Sequence, residues 1–487
     1  MNPRISGLFK LSAIGFALLI TITAYWQIWA ASGLAARKDN ARLVYRQLEI
    51  RRGLIYAADG RTVLAANVKR HKNGLDIYLR RYPLGTLFGH PVGYNTVGSG
   101  RSGLELSEND YLTASNADLS TVLGNLGDRL QGQTVTGNNL VTSLSPAAQR
   151  VAMAGLAGHS GAVVAIEPST GRVLAMASSP EYNPNTVASN FAKLNAAKAG
   201  SPLLDRATQG LYAPGSTFKV VTATTALESG LYTPTTTIDG HGHCLTSVQG
   251  QPLCNAGSES AGVVTLTDAL TYSYNTVFAQ VGEKVGASRL YATMDKYGFF
   301  TDPALDYPSD EMQPSGLYAG GHLLRRSAPV DIARVAIGQE RLGVTPLQMA
   351  EVVATVGNHG VRMRPSLVDR VTSPSGSTIS ATHPQQLQQV MSAGTAAELT
   401  AMMRRVVEEG TGQAANLGSL SVAGKTGTAE TGVTGLNTAW FIAFAPAQNP
   451  RIAIAVVIER TPEFGGTIAA PIARDVITAY LSHGVAK

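Results

Sequence analysis

The chain of 487 residues is long enough for two or three domains, and a hydrophobic content of 44% is ample for a packed core. Its 39 Lys and Arg outweigh 33 Asp and Glu, and the resulting net charge of +6 suits an anionic polymer or a membrane surface. No basic run, zinc-finger spacing or aromatic-basic RNA motif accompanies that charge, so nucleic acid is excluded as the partner class.

The first predicted element is a membrane anchor. From Leu11 to Ala36 there is no charged residue, and Leu11 to Ala31 is mostly apolar. As a helix that stretch measures about 30 Å, enough to cross a bilayer. Arg4 and Lys10 precede it, so the positive-inside rule keeps a tail of residues 1–10 in the cytoplasm and exports the rest. Tyr25, Trp26 and Trp29 fall where an outer aromatic belt is expected. Ala30-Ala31-Ser32 offers the small residues of a signal-peptide cleavage site, but the apolar stretch exceeds an ordinary signal h-region. An uncleaved anchor over 11–36 is the expectation.

Residues 37–150 follow as a small N-terminal domain, with a hairpin turn predicted at Asp59-Gly60. In 151–487, the segments Val163–Ile166, Val173–Ala177, Trp440–Ala445 and Ile452–Ile458 read as alternating apolar strands of an antiparallel sheet. Pro446 to Pro450 turn between the last two. Val330–Ala336, Pro346–Val356, Ala396–Glu408 and Pro471–Leu481 carry helical periodicity, and Pro346 and Pro471 suit helix starts. Cys244 and Cys254 lie in the same exported region, which permits a disulfide. Two free thiols remain an alternative, as does a metal pair with His241 and His243, although the spacing is not of a strong zinc type.

Three short motifs carry the chemistry, in fixed order: Ser216-Thr217-Phe218-Lys219, Ser273-Tyr274-Asn275 and Lys425-Thr426-Gly427-Thr428. Each alone is weak, and Ser107-Glu108-Asn109 upstream also reads S-x-N. A serine hydroxyl is a poor nucleophile until a base removes its proton, and a lysine three positions on along a helix shares its face. Pro214-Gly215 reads as a helix start, which puts Ser216 at a positive helix end that favours a developing oxyanion. Lys219 is a base only when neutral, so it must be desolvated or set beside another cation, and Lys425 is the candidate. The three motifs together spell an acyl-transfer site.

Motifs and flanks resemble the penicillin-binding proteins, serine D,D-transpeptidases that share S-x-x-K, S-D-N and K-T-G signatures with class A β-lactamases. Gly161 to Met176, Tyr182-Asn183-Pro184, Tyr212 to Ser216, Gly338-Gln339, Thr345 to Ala350, Asn358-His359-Gly360, Trp440 to Phe444 and Arg451 to Ile458 all look like parts of such a domain. Arg51 to Ile55, Arg81 to Gly85, Val92-Gly93-Tyr94, Gly103-Leu104-Glu105 and Tyr111-Leu112 resemble the family's N-terminal pedestal, or dimerisation-like domain. Tyr56-Ala57-Ala58 departs from it, standing where an acidic-basic pair is commoner. Residues 37–150 are too few for a glycosyltransferase domain, so the resemblance is to the monofunctional class B members, closest to the actinobacterial penicillin-binding protein A type.

The resemblance implies an α+β fold, an antiparallel sheet flanked by helices beside an all-helical lobe, with a small pedestal over 37–150 and a transpeptidase domain over 151–487. It implies Ser216 as nucleophile, Lys219 as base, Ser273 as proton relay, Asn275 as orienting residue and Lys425 as the second positive charge. Thr426, Gly427 and Thr428 would hold the substrate, and the backbone N–H groups of Ser216 and Thr428 would form the oxyanion hole. No cofactor or metal is expected. Peptidoglycan stem peptides are the implied substrate, β-lactams the covalent inhibitors, and a SEDS-type membrane glycosyltransferase the implied partner. A D,D-carboxypeptidase sharing the first half-reaction and a non-catalytic cell-wall scaffold are the alternatives.

Overall fold

The structure, a computed structural model of the chain, describes residues 3–25, 48–72, 74–116, 135–196, 200–248, 251–257, 259–326 and 328–482. It opens on helix α1 (Pro3–Ala24), in which Ser6–Ala24 is long and apolar enough to cross a membrane and is not buried against the rest of the chain. The helix begins at Pro3 and not at Leu11, so Arg4 and Lys10 lie on it. Proline suits a first turn and the two cations are good helix formers, so nothing in residues 3–10 stops the helix. Trp26, Trp29 and Ala30-Ala31-Ser32 fall outside the described residues.

Beyond the anchor, β1 (Ile55–Tyr56), β2 (Val63–Lys72) and β3 (Leu75–Arg81) form an antiparallel meander, and β4 (Asn139–Thr142) pairs parallel with β1. The first turn is at Asp59-Gly60: Gly60 has φ +65°, and Asp59 Oδ1 accepts the N–H groups of Arg61 and Thr62 at 2.9 and 2.8 Å. Helix α2 (Pro146–Gly155) then leads into β5 (Gly161–Ile166) and β6 (Val173–Ser179). A 3-10 turn at Gly215–Phe218 opens α3 (Lys219–Glu228), and a hairpin of β7 (Cys244–Val248) and β8 (Gln251–Cys254) precedes α4 (Asn275–Lys296). Next come α5 (Pro346–Gly357), β9 (Val368–Thr372), β10 (Thr378–Ala381) and α6 (Ala393–Glu408). The chain ends on β11 (Ala423–Glu430), β12 (Asn437–Ala445), β13 (Ile452–Thr461) and α7 (Ala469–Ser482).

Capping residues explain where helix boundaries differ from the periodicity. The helix expected from Val330 starts at Ile332, because Asp331 Oδ1 accepts the Arg334 N–H at 3.2 Å. The one expected from Ala396 starts at Ala393 behind Ser392, whose Oγ accepts the Thr395 N–H at 3.1 Å. Helix α7 starts at Ala469, with Pro471 still inside the first turn, where its missing N–H leaves no gap in the ladder.

Two sheets organise the molecule. The larger-domain sheet has five antiparallel strands in the order β11-β12-β13-β5-β6. Its other four strands, β11 apart, read as largely continuous apolar runs where alternation was expected, because helices cover both faces. Phe441, Ala443, Ile454 and Val456 pack with α2 and α7, whereas Trp440, Ile442, Phe444 and Val457 belong to the core shared with α3, α4 and α5. The pedestal sheet has six strands in the order β10-β9-β4-β1-β2-β3. Strands β9 and β10 come from residues 368–381, so the N-terminal unit is not one contiguous stretch of chain.

Candidate active site

Strand β11 lies directly against the turn that carries Ser216. Gly215 has φ +52°, and a Cβ there would stand 2.8 Å from Thr428 O. Likewise a Cβ on Gly427 would stand 2.7 Å from Pro214 O, so only glycine lets strand and turn approach so closely. Thr217 Oγ1 donates to Pro214 O at 2.8 Å, the Gly215 N–H donates to Gly338 O at 2.9 Å, and Trp440 Nε1 donates to Ala213 O at 3.0 Å. Ser216 thus sits in the 3-10 turn that leads into α3, and Lys219 is the first residue of that helix.

The second motif closes the site from the other side. Ser273 adopts φ +66°, which turns the chain sharply into α4, of which Asn275 is the first residue. Lys219 Nζ donates to Ser273 O at 2.6 Å, to Asn275 Oδ1 at 2.6 Å and more weakly to Ser273 Oγ at 3.3 Å. Lys425 Nζ reaches the same hydroxyl, Ser273 Oγ, at 2.8 Å and Thr426 O at 3.2 Å. Both lysines are wholly buried. Burial first, and then the neighbouring Lys425 ammonium, push Lys219 well below the ordinary lysine value, against a smaller upward pull from Glu259. Burial brings Lys425 down to about 7.

Ser216, Ser273, Asn275, Thr426, Gly427 and Thr428 line one cleft of about 1190 Å³. The three motifs, scattered over more than two hundred residues of sequence, therefore meet around a single cavity between the five-stranded sheet and the helical lobe. Thr428 Oγ1 accepts the Gly465 N–H at 3.3 Å, and Thr426 Oγ1 is 2.6 Å from Thr411 Oγ1. The second S-x-N match lies in the pedestal, where Asn109 Oδ1 accepts from Arg52 Nη1 at 2.8 Å. Cys244 and Cys254 face each other across β7 and β8 and are joined as a disulfide, S–S 2.08 Å. His243 is near them, but both sulfurs are committed to each other.

Sequence reasoning missed the groups that brace the turn carrying Ser216. Glu459 Oε1 accepts from Tyr212 at 2.5 Å and from Arg206 Nε at 2.7 Å, and the Tyr212 ring stands edge-on to Trp440. One signal was present: Glu459 is the acid that interrupts the apolar run of β13. Thr411 and Asn255 gave none, since an exposed loop and a buried loop look alike in a single sequence.

Two family models match the chain: penicillin binding protein transpeptidase domain over residues 161–478, and penicillin binding protein A dimerisation domain over residues 52–140. The peptidoglycan D,D-transpeptidase PbpA of Mycolicibacterium smegmatis is 36% identical, over 99% of this chain and 100% of its own length. Its namesake in Mycobacterium tuberculosis is 34% identical, over 95% of this chain and 96% of its own. The solved ceftriaxone acyl-enzyme complex of penicillin-binding protein A from M. tuberculosis superposes with a TM-score of 0.81 at 32% identity, covering 90% of this chain and 100% of that one. Motifs converging on one cleft and relatives spanning nearly the whole length lead to one conclusion: the chain belongs to the penicillin-binding protein transpeptidase family.

Proposed function

We propose that this chain is a monofunctional peptidoglycan D,D-transpeptidase that works through an acyl-enzyme on Ser216 and is trapped there by β-lactams. The observation that carries the reading is the pair of buried lysines converging on Ser273 Oγ beside the turn that holds Ser216. Like charges in a dry site favour loss of a proton, and a neutral Lys219 is the base a serine hydroxyl needs.

Ser216 Oγ attacks the carbonyl carbon between the last two D-alanines of a stem peptide while its proton passes to Lys219. The tetrahedral oxyanion is held by the backbone N–H groups of Ser216 and Thr428. As it collapses, the C–N bond breaks and the departing D-Ala amine takes a proton through Ser273, which bridges the two lysines. Asn275 orients Lys219 and the substrate amide; Lys425, Thr426, Gly427 and Thr428 receive the terminal carboxylate. The amine of a second stem then attacks the ester, frees Ser216 and closes the cross-link. A β-lactam acylates the same oxygen, but its opened ring remains attached and blocks the approach of an acceptor.

Helix α1 supports a single-pass tether with the N-terminus in the cytoplasm and the catalytic cleft outside, where the polymer substrate lies. A SEDS-type glycosyltransferase in the same membrane would supply the uncross-linked strands.

Detergent-solubilised chain incubated with fluorescent penicillin should yield a covalent adduct on Ser216, and Ser216→Ala should abolish labelling with the fold intact. The adduct should outlast a median enzyme turnover of about 0.1 s, whereas rapid multiple-turnover hydrolysis would mark a β-lactamase. A donor peptide ending in D-Ala-D-Ala, offered with an acceptor amine, should give the amide product; release of D-Ala alone would make the chain a carboxypeptidase.

A further inference from the structure

The β7–β8 hairpin belongs to neither large sheet. It is a separate two-stranded ribbon, of a kind that is marginally stable alone, and it forms one wall of the cleft through Pro252, Leu253, Cys254 and Asn255. Its last residue touches the base by one intermediary. Asn275 Nδ2 donates to Cys254 O at 2.9 Å, while Asn275 Oδ1 accepts from Lys219 Nζ at 2.6 Å. An amide side chain presents its oxygen to one neighbour only if a suitable acceptor takes its NH2, so the Cys254 carbonyl decides which end of Asn275 faces Lys219.

What holds that carbonyl in place is local. Cys254 is cross-linked to Cys244 directly opposite it. The next residue, Asn255, is buried; its Oδ1 accepts the Thr276 N–H at 3.0 Å and its Nδ2 donates to Gly242 O at 3.2 Å, tying the hairpin's exit to the first turn of α4. Arg334 Nη2 donates to Pro252 O at 3.2 Å from outside. The charged groups acting on Lys219 are Lys425 and, from the loop after the hairpin, Glu259; the Phe278 ring lies 5.5 Å from its Nζ.

We propose that the Cys244–Cys254 disulfide and Asn255 are positioning residues for acylation: they fix the Cys254 carbonyl against Asn275 and thereby keep Lys219 oriented and dry. The inference rests on the functional reading above. If the cross-link is opened, the ribbon loosens, Asn275 loses the acceptor that fixes its orientation, and water enters beside Lys219. Water restores part of the solvation that burial removed, so the lysine becomes harder to deprotonate.

The test compares the full-length, detergent-solubilised chain with Cys244→Ala/Cys254→Ala, using penicillin G and separating the acylation rate constant from the pre-acylation affinity across pH. In the variant, the rising limb of the rate constant should move about one pH unit upward. Below that limb, the rate should fall about tenfold, because each unit of pKa removes nine-tenths of the neutral base. Affinity should change little. A folded variant with an unaltered rate constant and an unaltered pH limb overturns the proposal. Should the double variant fail to fold, the same two outcomes are read on the wild-type chain treated with a water-soluble phosphine. There the S–S bond is cleaved to two thiols while phosphine and water become phosphine oxide. Thiol titration and circular dichroism verify reduction and fold, and re-oxidation should restore the rate. Failure of the oxidised wild type to form any Ser216 adduct would sink the functional reading itself, a result distinct from an adduct whose formation ignores the disulfide.

Discussion

Among the described residues, two buried groups of charge follow opposite plans. In the pedestal, Glu105 lies between two guanidinium groups: Arg52 Nη2 is 2.9 Å from its Oε2, and Arg80 Nε pairs with its Oε1. Burial pulls the Glu105 carboxyl up, but Arg80 and Arg52 more than reverse this and hold it below its ordinary value. In the cleft, Lys219 and Lys425 share a hydroxyl with no carboxylate hydrogen-bonded to either among the described residues. Burial drives both lysines toward the neutral form there, and the neighbouring charge of Lys425 adds to it for Lys219. A buried cluster in which opposite charges meet fixes its protonation state and serves as structure. One of like charges only is poised to give up a proton, which is what a base for serine requires.

The comparison can be broken most forcefully in the pedestal. Glu105→Gln leaves two guanidinium groups buried without their counter-charge and should cost about 3–5 kcal/mol of stability. Denaturant titration would measure it, and the acylation rate of the molecules that remain folded should be unchanged. A fall in that rate would mean the two clusters are coupled.

In the cleft, Lys219→Arg keeps a positive charge but removes the capacity to become neutral. Acylation by penicillin should fall at least about 100-fold, the usual loss for a general base, while pre-acylation affinity survives. If affinity falls and the rate constant does not, Lys219 is an electrostatic anchor and not the base.

The smallest expected effect is in pH dependence, where the two clusters should respond in different windows. Lys425 has a folded pKa of about 7 against 10.5 in the free side chain, so between those values the unfolded chain holds a proton that the folded chain has shed. Stability from this site therefore rises with pH over that range. Glu105 has a depressed folded value, so its contribution is present above the ordinary 4.5 and is lost as pH falls through the folded value. Stability curves for Lys425→Met and Glu105→Gln should each lose one slope and keep the other.

The candidate site residues were legible because each motif is local: Ser216 to Lys219, Ser273 to Asn275 and Lys425 to Thr428 are short strings, and only their order was needed to connect them. Apolar runs gave four of the five strands of the larger-domain sheet to within a few residues, and proline gave the start of α5. The pairing of β9 with β4 was not legible, since it joins residues far apart in sequence through backbone groups that every residue carries. The burial of the sheet on both faces was missed for a related reason: one strand cannot report what covers it. Asn255 and Glu459 stayed hidden because a polar residue acquires its meaning from partners that folding brings near.

The return of residues 368–381 to the pedestal sets a schedule for the newly made chain. Strand β4 has β1 on one side as soon as residue 142 is synthesised, but its other edge waits for β9, which follows the entire helical lobe. For most of synthesis, the pedestal is therefore an open sheet with an adhesive edge, a template for wrong pairing with a neighbouring chain. No single cut or gene fusion near residue 150 can separate the pedestal from the transpeptidase unit without leaving that edge bare. The two units must be inherited and folded as one interleaved object.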